Sequence, residues 1–256
     1  IGKDAGAVLN GGDYNVLIGT DTGKALTSAY QNVVIGRRAG QVLHNSNAIY
    51  NVIIGADAGQ GAGGSGHVKN VLVGFQSGYE TDGEQNVYIG NASGRGVGGA
   101  DADKGVAVGS LALYSIRDGH YNTALGFQSG YIVRDGSSNI LLGHNAGYNV
   151  QDGNHNIVIG PSASLSGDVS DQLVIGSGSV TTISASLATG DLVFGNNVLI
   201  EGGGLSIKNK GAQSYARFYC ESSNAHYTEL KAQPHALYSG NPVTLLPAYD
   251  FNFAQP

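Results

Sequence analysis

The chain has 256 residues, a formal net charge of -6, 12% charged residues and 42 glycines. Glycine is more than twice its usual ~7%, yet a hydrophobic content of 41% excludes a disordered polyelectrolyte. Mild negative charge without clustered Lys and Arg argues against a nucleic-acid surface. No apolar run nears the ~20 residues that span a bilayer, and a single cysteine, Cys220, excludes an internal disulfide framework.

The chain begins inside a repeat. Ile1-Gly2-Lys3-Asp4-Ala5-Gly6 is the second half of a unit whose fuller form is Asn-Val-x-Ile-Gly-x-x-Ala-Gly. With no methionine anywhere, it reads as part of a longer protein whose N-terminus is missing. The landmark glycine recurs at Gly2, Gly19, Gly36, Gly55, Gly74, Gly90, Gly109, Gly126, Gly143, Gly160, Gly176 and Gly195, in steps of 16, 17 or 19 residues. A fixed period of this size predicts a stacked fold in which each unit leans on its neighbours. Asp82-Gly83, Asp118-Gly119, Asp135-Gly136 and Asp152-Gly153 suit tight turns with positive φ. Each unit is then a short strand, a glycine corner, a second segment and a turn. About eleven such coils stacked at ~4.8 Å would make a rod of roughly 50 Å.

Side chains alternate faces along a strand, so Val and Ile share one face and x takes the other. The x column is Leu17, Val34, Ile53, Leu72, Tyr88, Ala107, Ala124, Leu141, Val158, Val174 and Val193. It is apolar throughout, or amphipathic at Tyr88, and a strand apolar on both faces must be covered on both. A thin coil has one interior, which points to a parallel homotrimer. Leu17, Val34, Ile53, Leu72, Leu141, Val158, Val174 and Val193 are the candidate trimer interface. A wider single-chain β-helix is the competing reading.

After Gly195 the pattern changes. Asn196 to Gly204 resembles a linker, and Ala216–Cys220, Tyr227–Leu230 and Val243–Leu246 read as strands, with Gly240-Asn241-Pro242 as a turn. The expected architecture is all-β: a parallel β-roll or β-solenoid of short ~17-residue coils over residues 1–198, trimeric, followed by a small β-rich C-terminal trimerising domain over residues 199–256.

The repeat resembles the Asn-Val-x-Ile-Gly-x-x-Ala-Gly arrays of bacteriophage tail fibres and tailspikes and, more distantly, the heads of trimeric autotransporter adhesins. Phe218-Tyr219-Cys220-Glu221-Ser222-Ser223-Asn224-Ala225-His226-Tyr227 looks like a segment that follows such arrays in phage fibres. The resemblance implies a homotrimeric, adhesive virion protein of the tail fibre, without enzymatic activity. Its partners would be other tail proteins and a host cell-surface glycan or protein receptor, with no membrane insertion. The rival readings are a bacterial surface adhesin head and a polysaccharide-cleaving tailspike.

The residues themselves offer little chemistry. The Asp-Gly carboxylates recur at one repeat phase, where turn geometry explains them, so no catalytic residue is assigned. Asp101 and Asp103 resemble part of a calcium loop without its remaining ligands. The seven histidines form no pair with metal-ligand spacing. Neither metal nor cofactor is expected, and Cys220 reads as a small buried hydrophobe.

For binding, Phe75-Gln76-Ser77-Gly78-Tyr79 recurs as Phe127-Gln128-Ser129-Gly130-Tyr131, and Tyr148 holds the same phase. The candidate receptor-binding residues are Tyr79, Tyr131, Tyr148, Asp101 and Asp103. Stacking on one another to stabilise the coil is the competing role for the tyrosines. Four stretches that break the period (Leu43 to Tyr50, Gln60 to Lys69, Arg95 to Lys104 and Ser177 to Leu187) are candidate recognition loops.

Overall fold

A computed structural model describes residues 1–42, 48–61 and 67–194, together with the strands Tyr215–Tyr219 and Tyr227–Lys231. Cys220, the stretch from Gly195 to Gly204, the Gly240-Asn241-Pro242 turn and Val243–Leu246 lie outside the described residues, as do 43–47 and 62–66 within two of the candidate loops.

The repeat folds as expected, into an all-β solenoid. Nine three-residue strands fall on Asn-Val-x-Ile-Gly or its variants: β1 (Val16–Ile18), β2 (Val33–Ile35), β3 (Val52–Ile54), β4 (Val71–Val73), β5 (Val87–Ile89), β6 (Val106–Val108), β7 (Thr123–Leu125), β8 (Ile140–Leu142) and β9 (Ile157–Ile159). Each pairs in parallel with the next, and the middle residues stand in one file from Leu17 to Val34 and on to Val158. β10 (Gln172–Ser177) adds the last parallel rung.

Facing is the reverse of the sequence expectation. Val34, Ile53, Leu72, Tyr88, Leu141 and Val158 are at most 2% exposed within the single chain. Val174 is also buried, and Leu17 packs against the core from the first rung. The x column therefore fills the coil's own interior and is not available to a partner subunit. Asn stands two positions before x, shares its face, and is equally buried at Asn32, Asn51, Asn70, Asn86, Asn122, Asn139 and Asn156. The flanking Val and Ile point outward, with Val16, Ile54, Ile89, Val108, Leu125 and Ile140 all exposed.

A second and a third file complete the interior. Ala39, Ala58, Ala112 and Ala146 follow their landmark glycines by three residues, and Leu26, Ile116, Val133 and Val150 by seven. Sizes compensate between neighbours: Tyr88, the bulkiest inward side chain, is followed in its file by Ala107 and Ala124. Seventeen residues thus suffice to close and fill a coil.

The buried asparagines form two ladders, Asn32 to Asn86 and Asn122 to Asn156, separated where Gly105 takes the asparagine position. Asn139 shows the pattern: its backbone N–H and its Nδ2 donate to Asn122 Oδ1 (3.0 Å each), its Nδ2 donates to the Gly153 carbonyl (2.8 Å), and its Oδ1 accepts the Asn156 N–H (2.9 Å). A buried amide satisfied in this way fixes coil-to-coil register, because any slip strands polar groups in the interior.

Glycine serves two separate purposes. Landmark glycines such as Gly126 (φ +133) take a backbone that L side chains avoid. The Asp-Gly glycines do not, contrary to the turn expectation: a Cβ on Gly119, Gly136 or Gly153 would meet the carbonyl oxygen of the next coil. Close stacking selects glycine there. The left-handed residue comes two positions later, at Tyr121, Ser138 and His155.

The period ends earlier than the glycine count implies. β10 pairs antiparallel with β11 (Val180–Ser186), across a bulge at Ile175/Gly176, and β11 pairs antiparallel with β12 (Asp191–Phe194). The stretch from Ser177 to Leu187 is therefore largely hairpin rather than an inserted loop. Val193, expected in the x column, lies on β12 and is 56% exposed.

Contact clustering separates Ile1–Asn197 from Val198–Pro256. Within the second unit, β13 (Tyr215–Tyr219) and β14 (Tyr227–Lys231) form an antiparallel pair, with Phe218 opposite Thr228.

Candidate binding surface

Stacking turns each repeat position into a file of side chains. The position five residues past the landmark glycine reads Gln41, Gln60, Tyr79, Arg95, Tyr114, Tyr131 and Tyr148. Tyr79, Tyr131 and Tyr148 therefore do lie in one column. The Tyr114–Tyr131 and Tyr131–Tyr148 ring pairs are both 5.0 Å apart and nearly parallel. Arg95 sits between Tyr79 and Tyr114 with its guanidinium 5.2 Å from each ring centre, and it donates to Tyr114 Oη (2.7 Å). Partial burial, then the neighbouring phenols, raise the pKa of Tyr131 above its ordinary value.

Both faces of the Tyr131 ring are covered by its neighbours, so a ligand meets only its edge. The stabilising role holds for Tyr131, and Tyr148 shares the stack. Tyr114 was not among the sequence candidates because Leu111-Ala112-Leu113-Tyr114 lacks the Gly-Tyr signature. Leu113 takes the glycine's left-handed backbone instead (φ 48). Counting five residues from Gly109 would have found it.

Asp103 belongs to another ladder, two residues before the asparagine file. Its Oδ1 accepts the Glu84 N–H (2.7 Å), and its own N–H donates to His120 Nδ1 (3.1 Å). The file continues as His120 N–H to Ser137 Oγ, Ser137 N–H to Asn154 Oδ1 and Asn154 N–H to Ser170 Oγ. Asp103 thus ties coils together, while Asp101 is exposed. Among the described residues no group of three or more His, Cys, Asp or Glu is placed to hold a metal ion.

The Asp-Gly carboxylates are dispersed. Asp135 pairs with Arg117. Asp82 is buried, with its Oδ1 3.9 Å from Nδ1 of His67. Burial pushes the His67 pKa down to about 4, against the opposing pull of Asp82.

Two of the period-breaking stretches meet at one place. Gln60 and Gly61 from one and Gly98 and Gly99 from the other border a cleft of about 470 Å³, with Tyr79 and Glu80 between them. A second hollow, of about 420 Å³, lies where the last coil meets the hairpin and is lined mainly by hydroxyl groups such as Ser166, Thr181 and Ser184.

No protein family, no curated protein and no solved structure matches the chain.

Proposed function

We propose that this protein is a structural and adhesive segment of a phage tail fibre: a homotrimeric rod that carries attachment to the host cell surface. The observation that carries the reading is the outward Val and Ile of β1–β9. Broken at Thr123 on β7, these side chains form an apolar ribbon along one side of the solenoid. Nine rungs at ~4.8 Å and a strand width of ~10 Å give a patch of roughly 400 Å², in the ~300–600 Å² range where the largest patch on a monomer is often functional.

Identical chains in parallel register offer this ribbon a matching cover, with Val and Ile of one rung meeting their counterparts on another chain. The apolar face that calls for a cover is thus the outer one. The interface is the pair of columns flanking x. A thin, weakly charged rod suits mechanical reach, and three copies let weak contacts add through effective concentration. The virion tail is the corresponding location, and the function makes no use of catalysis.

Sedimentation equilibrium tests it. A species near three times 26.1 kDa is expected, and Ile89→Lys combined with Ile140→Lys should release folded monomers. A wild-type monomer would overturn the reading. Labelled trimer should bind intact bacterial cells of a susceptible strain, and the monomeric variant should bind them far more weakly.

A further inference from the structure

We propose that the cleft between the two insertions binds a saccharide without net negative charge, with the ring edge of Tyr79 as its apolar contact and Gln60 and Glu80 as hydrogen-bonding groups. The proposal rests on the reading of the chain as a cell-attachment rod and assigns that attachment a place and a ligand class.

The cleft is built into the backbone. Glu80 N–H donates to the Gln60 carbonyl (2.9 Å), Ala100 N–H to the Glu80 carbonyl (3.1 Å), and Gly96 N–H to the Tyr79 carbonyl (2.7 Å). Glu80 also has an unusual conformation. The other described non-glycine residues with positive φ fall into three repeat columns: the residue before the asparagine position, and the second and fourth after the landmark glycine. Glu80 (φ 57) belongs to none of them. A left-handed glutamate outside the repeat's own pattern is strain held by its surroundings, and such strain clusters at ligand sites.

The chemistry of the lining selects the ligand. Arg95 covers one face of Tyr79, but the aromatic file stops there, because Gln60 occupies the preceding position. Gln60 stands in the file on the other side, so Tyr79 offers the cleft its ring edge, which packs against the C–H groups of a pyranose. Gln60 donates to Gln41 Oε1 (3.3 Å), and its second N–H and its carbonyl, with no other partner among the described residues, suit hydroxyl groups. The Glu80 carboxylate has no ion-pair partner among the described residues. It accepts from hydroxyl or amino groups and repels acidic sugars. Gly98 leaves open space where a Cβ would project. A volume of about 470 Å³ falls in the ~300–1,000 Å³ range of small-molecule sites.

Saturation-transfer NMR and calorimetry on the full chain test this with diacetylchitobiose, lactose, maltose and the glucosamine disaccharide, and with 3′-sialyllactose as the acidic probe. At least one neutral or amino disaccharide should bind, and sialyllactose at least tenfold more weakly. Tyr79→Leu and Glu80→Gln should each weaken binding tenfold or more. Gly98→Asn, which tolerates positive φ and fills the cleft, should do the same with the Tyr79–Arg95 contact intact. Phe127→Leu, an exposed aromatic outside the cleft, should leave binding unchanged. Thermal melts matching wild type make any loss specific to the cleft. Absence of binding by all four neutral and amino probes, preferential binding of sialyllactose, or equal binding by wild type and the cleft variants would overturn the proposal. Sedimentation separates the two readings: a trimer that binds no sugar refutes the cleft alone, and a monomer that binds refutes the fibre alone.

Discussion

Asn139→Ala removes one rung of the buried ladder, and the structure sets its cost. The truncation deletes both side-chain partners that Asn139 offers to neighbouring coils, leaving the Gly153 carbonyl and the Asn156 N–H without a bond in the interior. It also takes one of two Asn139 donors from Asn122 Oδ1. Each buried group left unsatisfied costs about 1–3 kcal/mol, so the expected loss is roughly 4 kcal/mol, concentrated at one coil-to-coil interface. Because repeat arrays are stabilised by nearest-neighbour terms, exchange of the amides beyond the lesion should accelerate more than that of the far end.

The control is Asn154→Ala, which also deletes two hydrogen bonds (the accepted Ser137 N–H and the donation to the Asp152 carbonyl) at a half-buried site that water can reach. It should cost under about 1 kcal/mol. Urea denaturation at fixed protomer concentration, with amide exchange resolving the Asn156 N–H, measures both. Equal losses for the two variants, or a loss below about 1 kcal/mol for Asn139→Ala, would refute burial of the ladder as the source of register.

Three further outcomes follow from the same packing. Gly153→Ala drives a methyl into the Val169 carbonyl oxygen, whereas Gly178→Ala meets nothing but must hold φ at +57. Denaturation midpoints should show losses of about 3 kcal/mol or more for the first and about 1 kcal/mol for the second. Tyr88→Phe removes a buried hydroxyl that has no hydrogen-bond partner among the described residues and whose pKa burial drives upward; thermal melts should show unchanged stability or a gain of up to about 1 kcal/mol. His67 stays neutral in the fold down to about pH 4, whereas an unfolded histidine binds its proton near 6.5. The unfolded chain thus holds more protons between these values, and stability present above pH 6.5 is lost as pH falls toward 4. His67→Gln should flatten that slope by an amount on the order of 2–3 kcal/mol, read from urea midpoints across the window.

The sequence by itself determined the period, the parallel stacking and the places where strands form, because a recurring Asn-Val-x-Ile-Gly brings equal phases of successive units into register. It also put Tyr79, Tyr131 and Tyr148 in one file, since equal phase in a solenoid means vertical neighbours. It could not decide which strand face turns inward, because x and its two flanking residues are all apolar and hydropathy has no contrast to offer. Hydrogen bonding decided it: Asn shares the face of x, and its amide is satisfied inside by the backbone and side chains of adjacent coils. The glycine count ran on through Gly195 for a similar reason, since Asp191-Leu192-Val193-Phe194-Gly195 resembles a repeat strand while its antiparallel pairing with β11 depends on the turn at Gly190. The meeting of Gln60 with Gly98 and Gly99 around Tyr79 belongs wholly to tertiary structure. Residues nearly forty apart in the chain come together only when three successive coils stack, and that stacking is what creates the cleft.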